Sequence, residues 1–335
     1  MIAICSRSQA WWNYSLEMLN FRLSFFGGLS CLTSLEMESV DVPILWQISH
    51  NSVLQSLGFI NIPPAAGMWE RAIEIEKCTA LQRVCVQQTD DLEDSDGDSG
   101  NFIDMKVKAC PHLTSLYVDS DAGGETALVK IRIDECPTLT ELYIMGEAPS
   151  ADIYRLSSLT SLAVSELDGR DDWPVQTFLD CLQCLKVLDN LTIMRHSFTE
   201  KELTVASSSL RVFKIEDPYP FRRFKLQRLN MQCPNMEELE VCGSDQYCRY
   251  DDNICDKDGM PKRGSLRHID FSACAKLRDI WLDYKFVHSL SPKFVLDLVS
   301  NGRNQELIRR RQIIHLINLI HDCGGRLVCK EMLNL

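Results

Sequence analysis

The residues that could do chemistry by their type and spacing are a Cys-x-x-Cys pair and an acidic loop. Cys181 and Cys184 have the spacing of two zinc ligands, but no second Cys-x-x-Cys follows to complete a four-ligand site. Residues 90–100 contain six carboxylates around an Asp-x-Asp-x-Asp core, an oxygen-rich pattern that suits calcium. An EF-hand loop needs Gly at its sixth position and Glu at its twelfth, where this chain has Ser99 and Met105. The spacing therefore predicts no metal site, and the acidic loop is interpreted as solvated.

Groups suited to catalysis are as sparse as metal ligands. The seven histidines are scattered, and the chain has no Gly-x-Ser-x-Gly, His-Glu-x-x-His or dinucleotide-binding motif. His112 and His268 stand beside regularly spaced leucines, where a structural role is expected. The sequence thus predicts that the protein is not an enzyme and carries no cofactor.

A short apolar phrase recurs along most of the chain and must set its architecture. Leu-x-x-Leu-x-Val/Ile follows Cys-Pro in residues 110–118 and 136–144, and a variant with Met236 in first place follows it in 233–241. Looser copies begin at Leu32, Leu54, Leu81, Leu159, Leu188, Leu210 and Leu266. Successive copies begin 20 to 32 positions apart, and their period-two alternation predicts one strand per copy. Each copy can bury its apolar edge only against its neighbours, which predicts a stack of repeats.

Four copies of the phrase are preceded, ten or eleven residues earlier, by a second apolar phrase. The earlier phrases begin at Phe102, Leu128, Leu226 and Leu266. Eleven residues are too few for a strand and a complete return segment, so only one phrase of each pair is expected to line the concave sheet, and the other is expected to lie on the far side. In the first three pairs, assigning the concave strand to the later phrase gives the more even spacing between copies. In the last pair, either phrase could form the concave strand.

The predicted fold is α/β: a leucine-rich-repeat solenoid, curved as a horseshoe with a parallel concave β-sheet and closed by a C-terminal helical cap. Residues 1–28 are interpreted as an N-terminal segment that resembles a partial repeat, residues 29–285 as irregular repeats, and residues 286–335 as the cap. An acidic insertion near 88–101 and a polar insertion near 243–264 interrupt the repeats.

The cap is predicted from a change to helical spacing. Ser291 and Pro292 suit the N-cap and the first position of a helix over residues 293–299. Residues 305–321 carry apolar side chains that would cover much of a second helix. Such a helix must be buried, and the end of a repeat stack is the expected place.

Composition and charge exclude several classes of partner. The 335 residues carry a formal charge of −12 with a pI near 5.1, which argues against nucleic acid because phosphate binding needs clustered Lys and Arg. No secretory leader and no run long enough to cross a bilayer is recognised, so no membrane partner is predicted. Five of the fifteen cysteines occupy equivalent repeat positions where a small buried side chain fits: Cys78, Cys110, Cys136, Cys233 and Cys274. Packing thiols predict a reducing, intracellular location, cytoplasmic or nuclear.

The alternation along each strand also predicts the surface that a partner would contact. The apolar residues of the phrase point inward, and the residues between them point outward onto the concave sheet. The predicted partner-binding residues are Ser115, Tyr117, Asp119, Glu141, Tyr143, Met145, Lys214, Glu216, Glu238, Glu240, His268 and Asp270. Tyr117 and Tyr143 are expected to be neighbours on adjacent parallel strands. The C-terminal half of this face is mostly acidic, which favours a basic protein partner.

The repeats resemble those of a known family. The pattern Leu-x-x-Ile-x-Ile-x-x-Cys136-Pro137-x-Leu-x-x-Leu, with Cys78, Cys110 and Cys274 at the equivalent place, resembles the cysteine-containing leucine-rich repeats of F-box/LRR proteins. These proteins are substrate receptors of cullin-based ubiquitin ligases. The resemblance covers about residues 29–285 and implies substrate recognition. No F-box segment is recognised, so a Skp-type adaptor is an expected partner only if an F-box lies outside this chain.

Two alternatives stay open at this point. Intracellular immune receptors carry a similar Cys-Pro repeat variant, although no Gly-x-x-x-x-Gly-Lys-Ser/Thr phosphate loop occurs here. A structural subunit that clamps a neighbour in an assembly would also need such repeats. All three interpretations predict a protein–protein recognition scaffold.

Overall fold

The computed structural model describes residues 2–5, 32–38, 45–60, 70–87, 102–119, 121–122, 125–126, 128–145, 151–165, 175–194, 198, 200–216, 225–242, 266–283 and 315–320. Within these ranges, parallel β-sheets dominate and helices are few, as expected of the α/β class. The chain divides into two compact units, Met1–Ser165 and Glu166–Leu335.

The described part of the first unit consists almost entirely of strands. They are β1 (Ile2–Cys5), β2 (Ser34–Glu38), β3 (Leu45–Ser49), β4 (Ser56–Ile60), β5 (Glu70–Glu76), β6 (Arg83–Gln87), β7 (Phe102–Lys108), β8 (Ser115–Asp119), β9 (Asp121–Ala122), β10 (Glu125–Thr126), β11 (Leu128–Asp134), β12 (Glu141–Met145) and β13 (Ser161–Ser165). A 3-10 turn, Ala151–Arg155, precedes β13.

The second unit contains a short helix as well as strands. Its elements are α1 (Val175–Cys181), β14 (Asn190–Met194), β15 (Glu202–Ala206), β16 (Val212–Glu216), β17 (Arg228–Gln232), β18 (Glu238–Cys242), β19 (His268–Asp270), β20 (Asp279–Asp283) and β21 (His315–Ile320). A 3-10 turn, Leu182–Cys184, follows α1.

The later apolar phrase of each copy forms the main sheet of its unit. In the first unit this sheet has the order β1-β2-β4-β6-β8-β12-β13, and in the second unit β14-β16-β18-β20-β21. Every registered pair within these sheets is parallel, as in β8 and β12, where Leu116 is opposite Leu142. Both leucines are at most 2% exposed, whereas the residues between the apolar positions lie on the other face. The assignment of the later phrase to the main sheet of its unit is confirmed for the first three pairs, and the fourth pair follows it through β20.

The earlier apolar phrase forms a strand too, so the prediction of one strand per copy is wrong. In the first unit these strands make a second sheet of order β11-β7-β5-β3, and in the second unit a second sheet of order β15-β17-β19. Both sheets are parallel. The corner from the end of β7 at Lys108 to the start of β8 at Ser115 spans only residues 109–114, which leaves room for a complete strand on each side. The spacing of ten or eleven residues is therefore one strand plus one tight corner.

The corner depends on a residue in the left-handed backbone conformation at one repeated position. His50, Lys77, Ala109 and Glu135 all have φ between 54° and 55°. The backbone N–H groups of His50, Lys77 and Ala109 bond to the following turn, as when the amide of Ala109 donates to the carbonyl of Asp134 at 3.0 Å. The cysteine that comes next then turns inward. In the first of these corners the next residue is instead Asn51, whose Oδ1 accepts from the amides of Val53 and Leu54 at 2.9 and 2.7 Å.

The corner conformation predicts the effect of a substitution at Ala109. A β-branched side chain is strongly disfavoured at positive φ, so Ala109→Val is expected to lower the free energy of unfolding by about 1–2 kcal/mol. Urea unfolding followed by circular dichroism measures this change. Ala163→Val, at a half-buried position in β13, adds the same atoms where Val suits the backbone and is the matched control. An equal loss in both variants would contradict the proposed role of the corner.

In the second unit, helix α1 covers the edge of the second sheet. The Gln176 amide donates to the carbonyl of Thr204 at 2.9 Å and accepts from the amide of Thr204 at 2.8 Å. This side chain therefore satisfies the backbone of β15 as a neighbouring strand would. Phe178 and Leu179 of the same helix are 1% exposed.

The predicted C-terminal cap is only partly covered by the described residues, and there it differs. The helix predicted over 305–321 is wrong for His315–Ile320, which form β21 beside β20. A run of Leu and Ile suits a strand as well as a helix, and the backbone edge of β20 provides parallel pairing. The predicted helix over 293–299 lies outside the described residues, as do the acidic insertion near 88–101 and the polar insertion near 243–264. Residues 1–28 are described only at 2–5. None of the helices in the described ranges has the length and apolarity to span a bilayer.

Candidate functional site

The candidate site is the outward face of the main sheet in the first unit. This face carries the residues that alternate with the buried ones along β2, β4, β6, β8 and β12. Ser115, Tyr117 and Asp119 are half-buried on β8. Their register partners on β12 are, in the same order, Glu141, Tyr143 and Met145. Period-two alternation thus places six of the predicted partner-binding residues together.

Two tyrosines lie side by side on this face, on β8 and β12. Tyr117 is opposite Tyr143 in the register, and their rings are stacked with centroids 4.2 Å apart and planes inclined by 12°. The Tyr117 hydroxyl donates to Oδ2 of Asp119 at 2.9 Å. Burial, together with the nearby Tyr143 and the charge of Asp119, raises the pKa of Tyr117, so its hydroxyl stays protonated at neutral pH. The predicted proximity of the two tyrosines is confirmed. The hydrogen bond to Asp119 and the contact between the rings hold the stack in a defined geometry.

On one side of the stack the face is lined by small residues that were not singled out from the sequence. Along one row of the register, Tyr117 is followed by Cys85 on β6, Gly58 on β4 and Glu36 on β2. A Cβ atom added to Gly58 would meet Cγ of Glu36 at 3.4 Å, so the Glu36 side chain leans towards the glycine. Burial raises the pKa of the Cys85 thiol, and the charges of Asp119 and Glu36 raise it further. The negative charges of both carboxylates therefore reach the Cys85 thiol.

The outward face of the second unit is dominated by an ion-pair cluster. Nζ of Lys214 on β16 lies 2.5 Å from Oε2 of Glu240 and 3.2 Å from Oε1 of Glu238, both on β18. Burial lowers the pKa of Lys214, but the hydrogen bonds that Lys214 donates to these two glutamates outweigh burial and raise the pKa overall. Glu216 is half-buried at the end of β16. The acidic character predicted for this half is thus partly neutralised by Lys214.

Two predicted partner-binding residues lie elsewhere. His268 and Asp270 are on β19, in the second sheet, where they are opposite Arg228 and Asn230 of β17. They do not continue the face formed by Lys214 and Glu240. The reason is the doubled apolar phrase, whose earlier copy at Leu266 belongs to the second sheet.

A row of side chains at the start of the main-sheet strands links successive turns in each unit. In the first unit, Oγ1 of Thr114 donates to the carbonyl of Gln82 at 3.0 Å, and Thr140 and Thr160 each repeat this contact with the preceding threonine at 3.1 Å. The sequence signal was the recurrent Leu-Thr pair within the repeat phrase. The threonine hydroxyls take the place of water as hydrogen-bond partners of these carbonyls, and they link each strand to the preceding one along the edge of the face.

The equivalent row in the second unit is charged. Arg211 donates two hydrogen bonds to Glu237 at 3.0 and 3.1 Å and lies 3.6 Å from Asp189, and Arg278 also contacts Glu237. The hydrogen bonds from Arg211 lower the pKa of Glu237, opposed by burial and supported by the charge of both arginines. Because the residues are solvent-exposed, this row contributes little to stability.

The cysteines pack and do not form a metal cluster within the described ranges. Cys78, Cys110 and Cys136 are at most 4% exposed, and the Cys110 thiol donates to the carbonyl of Lys108 at 3.5 Å. Burial raises the pKa of Cys233 to about 11 and that of Cys274 to about 12, which keeps both thiols protonated and unreactive. No group of three or more His, Cys, Asp or Glu suited to a metal occurs among the residues described.

Comparison with protein-family models, curated proteins and solved structures found no match to this chain. We therefore argue its role from the chemistry of the outward face. That face offers a rigid aromatic pair, several carboxylates and a small-residue floor, all on regular strands. Such an arrangement can bind a partner.

Proposed function

We propose that this chain is a leucine-rich-repeat scaffold that binds a protein partner on the outward face of the first unit. The observation that carries the proposal is the stacked pair of Tyr117 and Tyr143 on neighbouring strands of a parallel sheet. Recurrent apolar phrases, inward-turning cysteines and parallel pairing between successive copies support the repeat architecture.

The tyrosine pair has the properties of an interface anchor. Tyrosine is enriched among residues that dominate binding energy, because it adds large contact area at a low cost in conformational entropy. Here the stack and the Tyr117–Asp119 hydrogen bond fix the rings before a partner arrives. Side chains that are ordered in advance lose less entropy on binding.

The substrate-recognition part of an F-box/LRR-type ubiquitin ligase is the role we favour for this scaffold. The support is the resemblance of the cysteine-containing repeats, whose cysteines are buried at equivalent corners, to those of that family. In that role the partner on the outward face is a substrate, and the link to a Skp-type adaptor depends on an F-box outside this chain.

The double variant Tyr117→Ala and Tyr143→Ala tests the face directly. Both rings are half-buried on the outward side, so their removal is expected to leave the parallel core folded while weakening partner capture by tenfold or more. Capture by the tagged protein in its native cells, quantified by mass spectrometry, measures the loss. Tyr154→Ala, which removes a half-buried tyrosine from the 3-10 turn before β13, is the matched control. Undiminished capture by the folded double variant would exclude this face.

The composition of the captured complex tests the ligase role separately. Recovery of a Skp-type adaptor and a cullin with the full-length product supports a ubiquitin-ligase receptor. Recovery of one stoichiometric partner without them, still dependent on the two tyrosines, would retain the binding face but replace the ligase role by that of an assembly subunit.

A further inference from the structure

The orientation of the tyrosine stack determines which ring surface a partner can reach. Tyr117 and Tyr143 lie on adjacent strands that are about 4.8 Å apart, and their ring centroids are 4.2 Å apart with nearly parallel planes. The stacking direction therefore runs from strand to strand, across the sheet. One face of the Tyr117 ring is covered by Tyr143, and its other face looks towards β6.

The floor beyond that ring face is unusually low for a β-sheet. The next positions in the same row are Cys85 and Gly58, whose side chains are small or absent. Glycine in a strand interior costs stability and often marks a place where a ligand approaches closely. On the far side, Glu36 leans towards Gly58, with its Cγ 3.4 Å from where a glycine Cβ would lie. The result is a slot between the Tyr117 ring and the Glu36 side chain, with Cys85 at its floor.

The charges around this slot are mainly negative. Among the outward side chains that the structure describes on this face, the carboxylates are Glu36, Asp119 and Glu141, and the one cation is Arg83. Asp119 lies beside the Tyr117 hydroxyl, at the edge of the ring, and Glu36 lies across the slot. Arg83 and Glu141 share a neighbouring row, one on each side of Ser115. A cation in the slot would therefore contact an aromatic face and experience the negative charge of two carboxylates, Asp119 beside the ring and Glu36 across the slot.

We propose that this slot receives an arginine side chain from an extended segment of the protein partner. The inference rests on the proposed function and names the chemistry of the partner at that face. The planar guanidinium would stack on the side of the Tyr117 ring that faces β6, above Cys85. Its N–H groups would then point along the strand direction towards Asp119, while the charge of Glu36 acts from the opposite wall. Lysine fits less well because its compact ammonium has no plane to stack.

An array of nine-residue peptides provides the probe. One array has arginine fixed at the central position and the neighbours varied, and a second array has citrulline there, which is the same shape without the charge. The full chain is expected to prefer the arginine array, and titration of the best peptide by fluorescence anisotropy gives its Kd. This affinity should fall with increasing salt because a charge-assisted contact is screened.

Three substitutions separate the parts of the slot. Tyr117→Leu removes the ring but keeps apolar volume, and Asp119→Asn removes the charge while its amide oxygen still accepts the tyrosine hydroxyl. Each is expected to weaken binding of the arginine peptide by about tenfold. Gly58→Val fills the floor and should weaken it further. Lys130→Ala, on β11 of the second sheet, is the control and should leave the Kd unchanged, and thermal unfolding verifies that each variant is folded.

Each outcome decides the inference. Preference for arginine over citrulline that disappears in Asp119→Asn and Gly58→Val establishes the slot. Peptides that bind without such a preference, yet require Tyr117 and Tyr143, would overturn the arginine site and leave the binding face intact. Binding that ignores all of these substitutions would exclude both. Retention of no peptide overturns the arginine site, and the capture experiment in cells then decides the proposed function independently.

Discussion

Leu142→Asp is expected to lower the free energy of unfolding of the first unit by about 4 kcal/mol or more. Leu142 is 2% exposed on β12 and is opposite Leu116 and Leu162, which are each 1% exposed. A carboxylate at this position would have no partner among these apolar neighbours, and an isolated buried charge costs several kcal/mol. Urea unfolding measures the total loss, and hydrogen exchange at the amides of β8, β12 and β13 shows where the structure opens.

Leu142→Asn is the matched control, because it has nearly the same shape and polarity but does not titrate. Burial raises the pKa of an aspartate, so the folded Leu142→Asp variant binds a proton at a pH where its unfolded chain does not. The stability of this variant relative to Leu142→Asn should therefore fall as the pH rises from about 5 to 8. A difference that is independent of pH would show that the carboxylate is solvated, and that Leu142 does not belong to a continuous core.

The main sheet could be predicted from the sequence because two periodicities agree there. The alternation within Leu116-Tyr117-Val118 decides which side chains point outward, and the repeat of the phrase decides which strands are neighbours. Tyr117 and Tyr143 occupy the same place in successive copies, so parallel pairing must bring them together. Their stacked geometry follows from a strand spacing close to the distance between the centres of two stacked aromatic rings.

The second sheet was missed for a reason that is also physical. The interval of ten or eleven residues between paired phrases was interpreted as too short for both phrases to line the concave sheet, and only one strand per copy was predicted. The left-handed residue at each corner makes that interval sufficient, because it reverses the chain within residues 109–114. Ala109, Lys77 and Glu135 carry no glycine signal for such a conformation, so nothing in their residue types indicated it.

The slot beside Tyr117 is an example of information that appears only in the register. Gly58 lies in the phrase Leu57-Gly58-Phe59, where an isolated glycine suggests only a weak strand. Its importance arises because parallel pairing places it between Glu36 and Cys85. Segment 315–320 illustrates the opposite case, in which a Leu- and Ile-rich run suited both a helix and a strand and pairing with β20 determined the outcome.

In the second unit, Phe213→Ala is expected to lower the free energy of unfolding by about 3–5 kcal/mol. Phe213 is fully buried on β16, with Leu191 of β14 and Leu239 of β18 opposite it in the register, and both leucines are also fully buried. Removal of the ring leaves a cavity that regular strands on both sides cannot collapse to fill. Phe213→Leu retains most of the apolar volume and should cost about 1 kcal/mol, as measured by the same urea titration.

The adjacent residue separates packing from electrostatics. Lys214→Ala removes the contacts to Glu238 and Glu240 on the outward face of the same strand and is expected to cost about 1 kcal/mol at most, because partly exposed ion pairs contribute little. Since the two substitutions lie one residue apart, differences in strand propensity or position along the unit cannot explain a threefold or larger difference between them. Equal losses would mean that the ion-pair cluster, and not the inward row of Leu and Phe, determines the stability of this unit. A large loss confined to Phe213→Ala would instead show that the outward face of this unit tolerates substitution without unfolding, which is the condition that a recognition surface requires.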